Sequence, residues 1–136
     1  MKRFNIKAEQ RSGRFKTESV SKITFNQRKP KISFEFLNGD YCISKCQQNQ
    51  KAEIIDSLHR ISQHTWQEHH QIGKSGGYEQ LGRDQLRCKI PQEGKFINTD
   101  KVTVFHRKDK IPIVGFRVDD VFYVFCIDRD FSAYKH

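Results

Sequence analysis

Residues 111–127 read Ile-Pro-Ile-Val-Gly-Phe-Arg-Val-Asp-Asp-Val-Phe-Tyr-Val-Phe-Cys-Ile. Two apolar runs, 111–118 and 121–127, meet at Asp119-Asp120, which predicts two strands joined by a tight hairpin. In the second run Val121, Tyr123, Phe125 and Ile127 share one face, and Phe122, Val124 and Cys126 share the other. A strand apolar on both faces is expected inside a sheet that is covered on both sides. Just before it, Lys101-Val-Thr-Val-Phe-His106 alternates and predicts a further strand.

Working toward the N-terminus, Leu86–Ile90 is expected as a short strand ended by Pro91. Residues 73–84 are rich in glycine and are expected as a mobile loop, where Lys74, Tyr78 and Arg83 could contact nucleic acid. Gly73-Lys74-Ser75 echoes the end of a P-loop, but Glu68 stands where the motif needs its first glycine, so nucleotide hydrolysis is rejected. From about Gln50 to Ile72, Ala52, Ile55, Leu58, Ile61 and Thr65 or Trp66 recur at helical spacing, and Gly73 is a natural stop. Lys31–Leu37 alternates with Ile32, Phe34 and Phe36 on one side. Asn38-Gly39-Asp40 then predicts a hairpin returning through Tyr41–Ser44. Shorter alternations at Phe4–Ile6 and Val20–Phe25, with Gly13 between them, make residues 1–48 a basic, strand-rich opening segment. The expected class is α+β: one domain over 1–136, with an antiparallel sheet packed against one long helix.

The 136 residues carry 25 Lys and Arg against 16 Asp and Glu, a net charge of +9. The excess lies in two blocks: nine basic and two acidic side chains in 1–30, and nine against five in 73–110. If the two blocks converge on one face they attract phosphates, so RNA, or a particle that carries it such as the ribosome, is the expected partner. An acidic protein is the next candidate. No apolar run approaches the roughly 20 residues of a membrane span, and the opening MKRFNIKAEQ has no apolar core of a secretory signal. No membrane is expected, and the location is expected to be cytoplasmic. Eleven Phe, four Tyr and one Trp argue against a disordered chain.

Cys42 and Cys46 are spaced C-x3-C, and His64, His69 and His70 could complete a zinc site. On a strand the two cysteines would stand roughly 13 Å apart, and residues 43–45 carry no turn signal. Four free thiols are therefore expected, with Cys126 buried as a small apolar residue, and no metal or cofactor.

The polar residues around the last hairpin suit acid–base chemistry on RNA. Such a reaction needs a base for the 2′-hydroxyl, an acid for the leaving 5′-oxygen and a fixed cation for the charged phosphorane. His106 and His136 could supply the base and the acid, Arg117 or Arg129 the cation, and Tyr134 could orient the strand or stack on a base. Arg107, Lys108 and Arg129 add positive charge for nucleic-acid binding. The plainer alternatives are a salt-bridged turn at Asp128-Arg129-Asp130 and pairing of Arg117 with Asp119.

From Ile111 to His136 the chain resembles the C-terminal part of the RelE-type toxin family, small ribosome-associated ribonucleases of toxin–antitoxin modules. The shared features are an arginine-bearing strand, an acidic turn, an apolar strand and a polar tail with tyrosine or histidine. Arg117 matches the strand arginine, and Tyr134 and His136 fall in the tail. The resemblance implies metal-independent mRNA cleavage and neutralisation by an antitoxin protein. Family members open with a strand and two helices, whereas the periodicity here predicts a strand-rich opening and one helix. A non-catalytic nucleic-acid-binding module of a phage or mobile element, and a basic interaction or inhibitor protein, are the other function classes the sequence allows. RNA that is bound but left intact marks the first, and failure to bind nucleic acid at low salt marks the second.

Overall fold

The computed structural model describes residues 24–37 and 39–136. The hairpin at 111–127 lies in the middle of a five-stranded sheet. β1 (Lys31–Ser33), β2 (Tyr78–Gly82), β3 (Lys101–Phe105), β4 (Ile113–Val118) and β5 (Val121–Ile127) are ordered β1-β5-β4-β3-β2. β2 through β5 pair antiparallel, and β1 lies parallel to β5, with Lys31 opposite Val121. Asp119 takes φ 58 in the β4–β5 turn. Two helices, α1 (Gln48–Ile61) and α2 (Trp66–Ile72), separate β1 from β2.

Both faces of β5 are covered, as its composition requires. Ile54, Leu58 and Ile61 of α1 and Trp66 of α2 pack over Phe105, Ile113, Phe122, Val124 and Ile127. On the other face, irregular chain carrying Cys88, Phe96, Ala133 and Tyr134 packs over Val102, Val104, Val114, Phe116, Phe125 and Cys126. The strict alternation expected for β5 fails at Phe125. Val114 pairs with Cys126 and Gly115 with Val124, so Phe125 is an extra, bulged residue. Beyond the bulge the parity of faces inverts, which puts Ile127 with Phe122 and Val124. Gly115 sits at the register shift, where a β-carbon would lie 2.3 Å from the Tyr123 carbonyl oxygen.

The single long helix is replaced by two. α1 ends at Ile61, and Thr65 begins α2 as its N-cap. The Thr65 hydroxyl accepts from the Glu68 N–H at 3.1 Å, and the Glu68 carboxylate accepts from the Thr65 N–H at 2.8 Å. This reciprocal cap satisfies backbone donors that a continuous helix would have used internally. The break swings Trp66 into the core. It also rotates the buried stripe of α1 to Ile54, Leu58 and Ile61, leaving Ile55 55% exposed. Gly73, at φ 64, stops α2 as expected.

Three other expectations are corrected. The 31–44 hairpin does not form, since β1 ends at Ser33 and 3₁₀ turns occupy Gly39–Tyr41 and Ile43–Lys45. Ile32 packs on the helix side and Phe36 on the opposite side, against Phe96 and Tyr123, so the chain passes over the sheet edge instead of alternating along it. The glycine-rich loop contains β2, which takes the edge place beside β3. Residues 86–90 are irregular. The alternations at 4–6 and 20–23, Asn38 and nearly all of the first basic block lie outside the described residues. Among the described residues no helix is long and apolar enough to cross a membrane.

Trp66 is fully buried, its indole N–H donates to the Asp120 carbonyl at 3.1 Å, and the Arg117 guanidinium lies 4.4 Å from its ring centre. Trp66→Ala is expected to cost about 3–5 kcal/mol, measured as the loss of unfolding free energy in urea. Gly115→Ala is expected to destabilise by roughly 1–3 kcal/mol in the same assay, because backbone stands where the methyl must go.

Candidate active site

β5 ends at Ile127, and the next residue, Asp128, is completely buried. Residues 128–133 fold back around its carboxylate. One oxygen accepts from the backbone N–H groups of Ser132 (2.8 Å) and Ala133 (3.0 Å), and the other lies 3.2 Å from His136 Nε2. Phe131 reaches this turn with φ 57, a backbone region that non-glycine residues seldom enter. The Arg87 N–H donates to the Ala133 carbonyl and fastens the tail to the preceding irregular segment.

This wrap sets His136, Tyr134 and His106 side by side. The Tyr134 ring lies 4.1 Å from the His136 ring, the two histidine rings are 5.3 Å apart edge to face, and the Tyr134 hydroxyl is 3.4 Å from His106 Nδ1. They border an open cleft of about 570 Å³, whose remaining wall includes Arg87, Lys108, Lys135, Asp109 and Phe131. Phe131 is 44% exposed and touches both imidazoles with its ring, so a flat apolar surface stands beside the two histidines.

The electrostatics distinguish His106 from Tyr134. Burial and the neighbouring His136 push His106 below the ordinary histidine value, against opposing pulls from Glu79 and Asp128. Burial, then the nearby carboxylates of Glu79 and Asp128, push the Tyr134 phenol well above its ordinary value, so it stays protonated. Asp128 fixes the His136 ring by occupying Nε2, which leaves Nδ1 for a ligand.

Of the four residues expected to do chemistry, three converge and Arg117 does not. Positions 113, 115 and 117 of β4 point toward the helices. Arg117 there covers Trp66 and donates to the Asp119 carbonyl and, at 2.7 Å, to Asn26 Oδ1. It lies about 13 Å along β4 from the end where His106 emerges. Tyr134 is 4% exposed, so its place is beside His136 and not stacked on a base. Lys108 lines the cleft, while Arg107 turns to the opposite side of the sheet. Arg129 donates to the Asp40 carbonyl. Arg83 is held by the carbonyls of Phe96 (2.8 Å) and Thr99 (2.9 Å). Tyr78 is buried on the helix side, with its hydroxyl 3.1 Å from His70 Nε2. Lys74 is exposed and 3.7 Å from Glu79.

Asp128, Arg87, Lys135 and Phe131 were not chosen from the sequence. Asp128 reads there as part of a salt-bridged turn with Arg129 and Asp130, and only the fold-back of 128–133 turns it toward His136. The C-x3-C pair is separated by a 3₁₀ turn and not by a strand. Cys46 is buried in the core, and the Cys42 thiol faces the Leu37 carbonyl. The four cysteines are free, and among the described residues no group of three His, Cys, Asp or Glu side chains is arranged to hold a metal ion.

Removing the His136 ring is expected to raise the His106 titration midpoint toward the unperturbed value of about 6.5, read from imidazole proton shifts in native protein and His136→Ala. His69, His70 and His106 are all lowered, chiefly by burial. Below about pH 6.5 the unfolded chain therefore binds more protons than the folded one. Stability should be full above that pH and decline as pH falls through the folded-state values, and urea midpoints at pH 7.5 and 5 check the sign.

A scan against protein-family models, a search of curated proteins and a search of solved structures each return no match to this chain.

Proposed function

We propose that the protein is an endoribonuclease that cleaves RNA without a metal ion, resembling the RelE-type mRNA interferases. The observation that carries this reading is the joining of His106, Tyr134 and the Asp128-held His136 in one cleft walled by Arg87, Lys108 and Lys135. The element order adds support. The described residues run strand, two helices and four strands, and RelE-type proteins open with a strand and two helices.

With Nδ1–H donated to the Tyr134 oxygen, His106 presents a lone pair on Nε2, and its lowered proton affinity keeps that nitrogen free near neutral pH. His106 takes the proton of the 2′-hydroxyl while the 2′-oxygen bonds to phosphorus. His136, held through Nε2 by Asp128, serves as the acid and delivers its Nδ1 proton to the 5′-oxygen as the P–O5′ bond breaks. The products are a 2′,3′-cyclic phosphate and a free 5′-hydroxyl. Lys108, Lys135 and Arg87 offset the charge of the phosphorane. Phe131 offers its exposed ring to a base flanking the scissile bond. An acidic antitoxin-like protein covering these cations in the cytoplasm is the partner this reading implies.

Purified protein is expected to cut single-stranded RNA in excess EDTA and leave 2′,3′-cyclic ends. His106→Ala and His136→Ala should each lower the rate by about 10²–10⁴-fold, while RNA binding persists. Arg117→Ala should lower the melting temperature yet leave cleavage by the folded protein intact. RNA that is retained on the protein but never cut would establish a binding module instead.

A further inference from the structure

A second cavity, of about 330 Å³, opens on the helix side of the sheet, at the end of the strand that leads to His106. Three cations from separate places border it: Arg60 from α1, Arg107 just beyond β3, and Lys110 from the β3–β4 loop. Among the described residues none of the three has a carboxylate within 4.0 Å. Burial, and then the like charge of Arg107, press Arg60 below the ordinary arginine value, with Asp56 opposing from the same helix. Two guanidiniums close enough to repel are a standing cost that an anion between them would relieve.

The rest of the lining mixes apolar side chains with Ser57, Ser75, His64 and His69. Ile72, 44% exposed at the end of α2, faces the cavity together with Tyr78 and Phe105. The wall is closed by the 73–77 turn. Gly77 accepts from the His106 N–H at 2.8 Å, and a β-carbon on it would lie 2.8 Å from Arg107 Cγ. At Gly76 a β-carbon would meet Ile72 at 2.3 Å. Both glycines thus admit the close approach that shapes the cavity.

We propose that this cavity binds a nucleotide, with its phosphate on Arg60, Arg107 and Lys110 and its base against the exposed side chain of Ile72. Paired arginines hold phosphate through several charge-assisted hydrogen bonds, and a flat base covers apolar surface that is otherwise wet. The inference concerns binding alone and stands whether or not the neighbouring cleft cuts RNA. The nucleotide could be free or part of an RNA strand passing over residues 106–110.

The test is calorimetric titration of the full chain at low salt with the four 5′-mononucleotides, the corresponding nucleosides and inorganic phosphate. At least one mononucleotide is expected to bind more tightly than its nucleoside and than phosphate. Arg60→Gln and Arg107→Gln should each weaken it by about tenfold or more, with melting temperatures near that of the native protein. Lys110→Gln, on an exposed loop, supplies the same reading should an arginine variant unfold. Absence of mononucleotide binding up to about 10 mM, or unchanged affinity in all folded variants, overturns the proposal. Competition with an uncleavable 2′-O-methyl oligonucleotide separates the sources: displacement of the mononucleotide identifies a nucleotide of the RNA strand, and simultaneous binding identifies a free one.

Discussion

Asp120 ties together parts of the chain that are far apart in sequence. Its carbonyl oxygen accepts from the Lys31 N–H at 2.9 Å and from the Trp66 indole at 3.1 Å, which joins β1 and α2 to the central hairpin. Its side chain is 7% exposed, and the carboxylate faces Lys31 Nζ at 3.1 Å and Arg28 at 3.6 Å. Burial alone would raise this carboxyl, but the hydrogen bond and charge of Lys31, helped by Arg28, hold it below the ordinary value. A buried carboxylate of this kind is tolerable only with such partners, since an uncompensated one would be costly. Arg28 and Lys31 therefore act as counter-ions of the hairpin turn.

β5 is bounded by two aspartates with different duties. Asp120 opens it and secures the fold, and Asp128 closes it and arranges the cleft. Between them the Phe125 bulge inverts the facing of the last two strand residues, so Ile127 turns to the helix side while Cys126 lies on the other. His106 and Arg107 divide in the same way, one toward each cavity. The molecule thus presents two histidines and a tyrosine on one side of a strand end and three cations on the other.

The strands 101–105, 113–118 and 121–127 were legible because their alternation and the Asp119-Asp120 turn are local signals. The Thr65-x-x-Glu68 cap was also present in the sequence, but a continuous apolar stripe runs through it, and periodicity alone favours one helix. β1 was misjudged because Ile32, Phe34 and Phe36 alternate as a hairpin strand should. Its parallel partner lies at 121–123, and no local pattern announces a pairing at that separation. At the site, His106, Tyr134 and His136 were reachable from residue type and position near the chain's polar tail. Arg117 was misplaced because strand parity decides its face, and that parity is invisible until the sheet is assembled. Asp128 was missed because its meaning depends on a backbone reversal at Phe131, a phenylalanine in a conformation its type disfavours.

The three-residue ladder of β1 carries a consequence for the order of assembly. Closing a loop of about ninety residues has an entropic cost that grows only as the logarithm of its length, yet here it is rewarded by very few backbone bonds. The β3–β4–β5 meander has short connections and forms through nearby contacts, which favours early nucleation there. The opposite edge is then the natural place for sub-global opening. Such fraying would release Lys31 and Arg28, and it would reach the 128–136 wrap through the bonds of Arg129 to the Asp40 carbonyl and of Tyr41 to Ser132, so the weakest edge of the sheet and the cleft are mechanically linked.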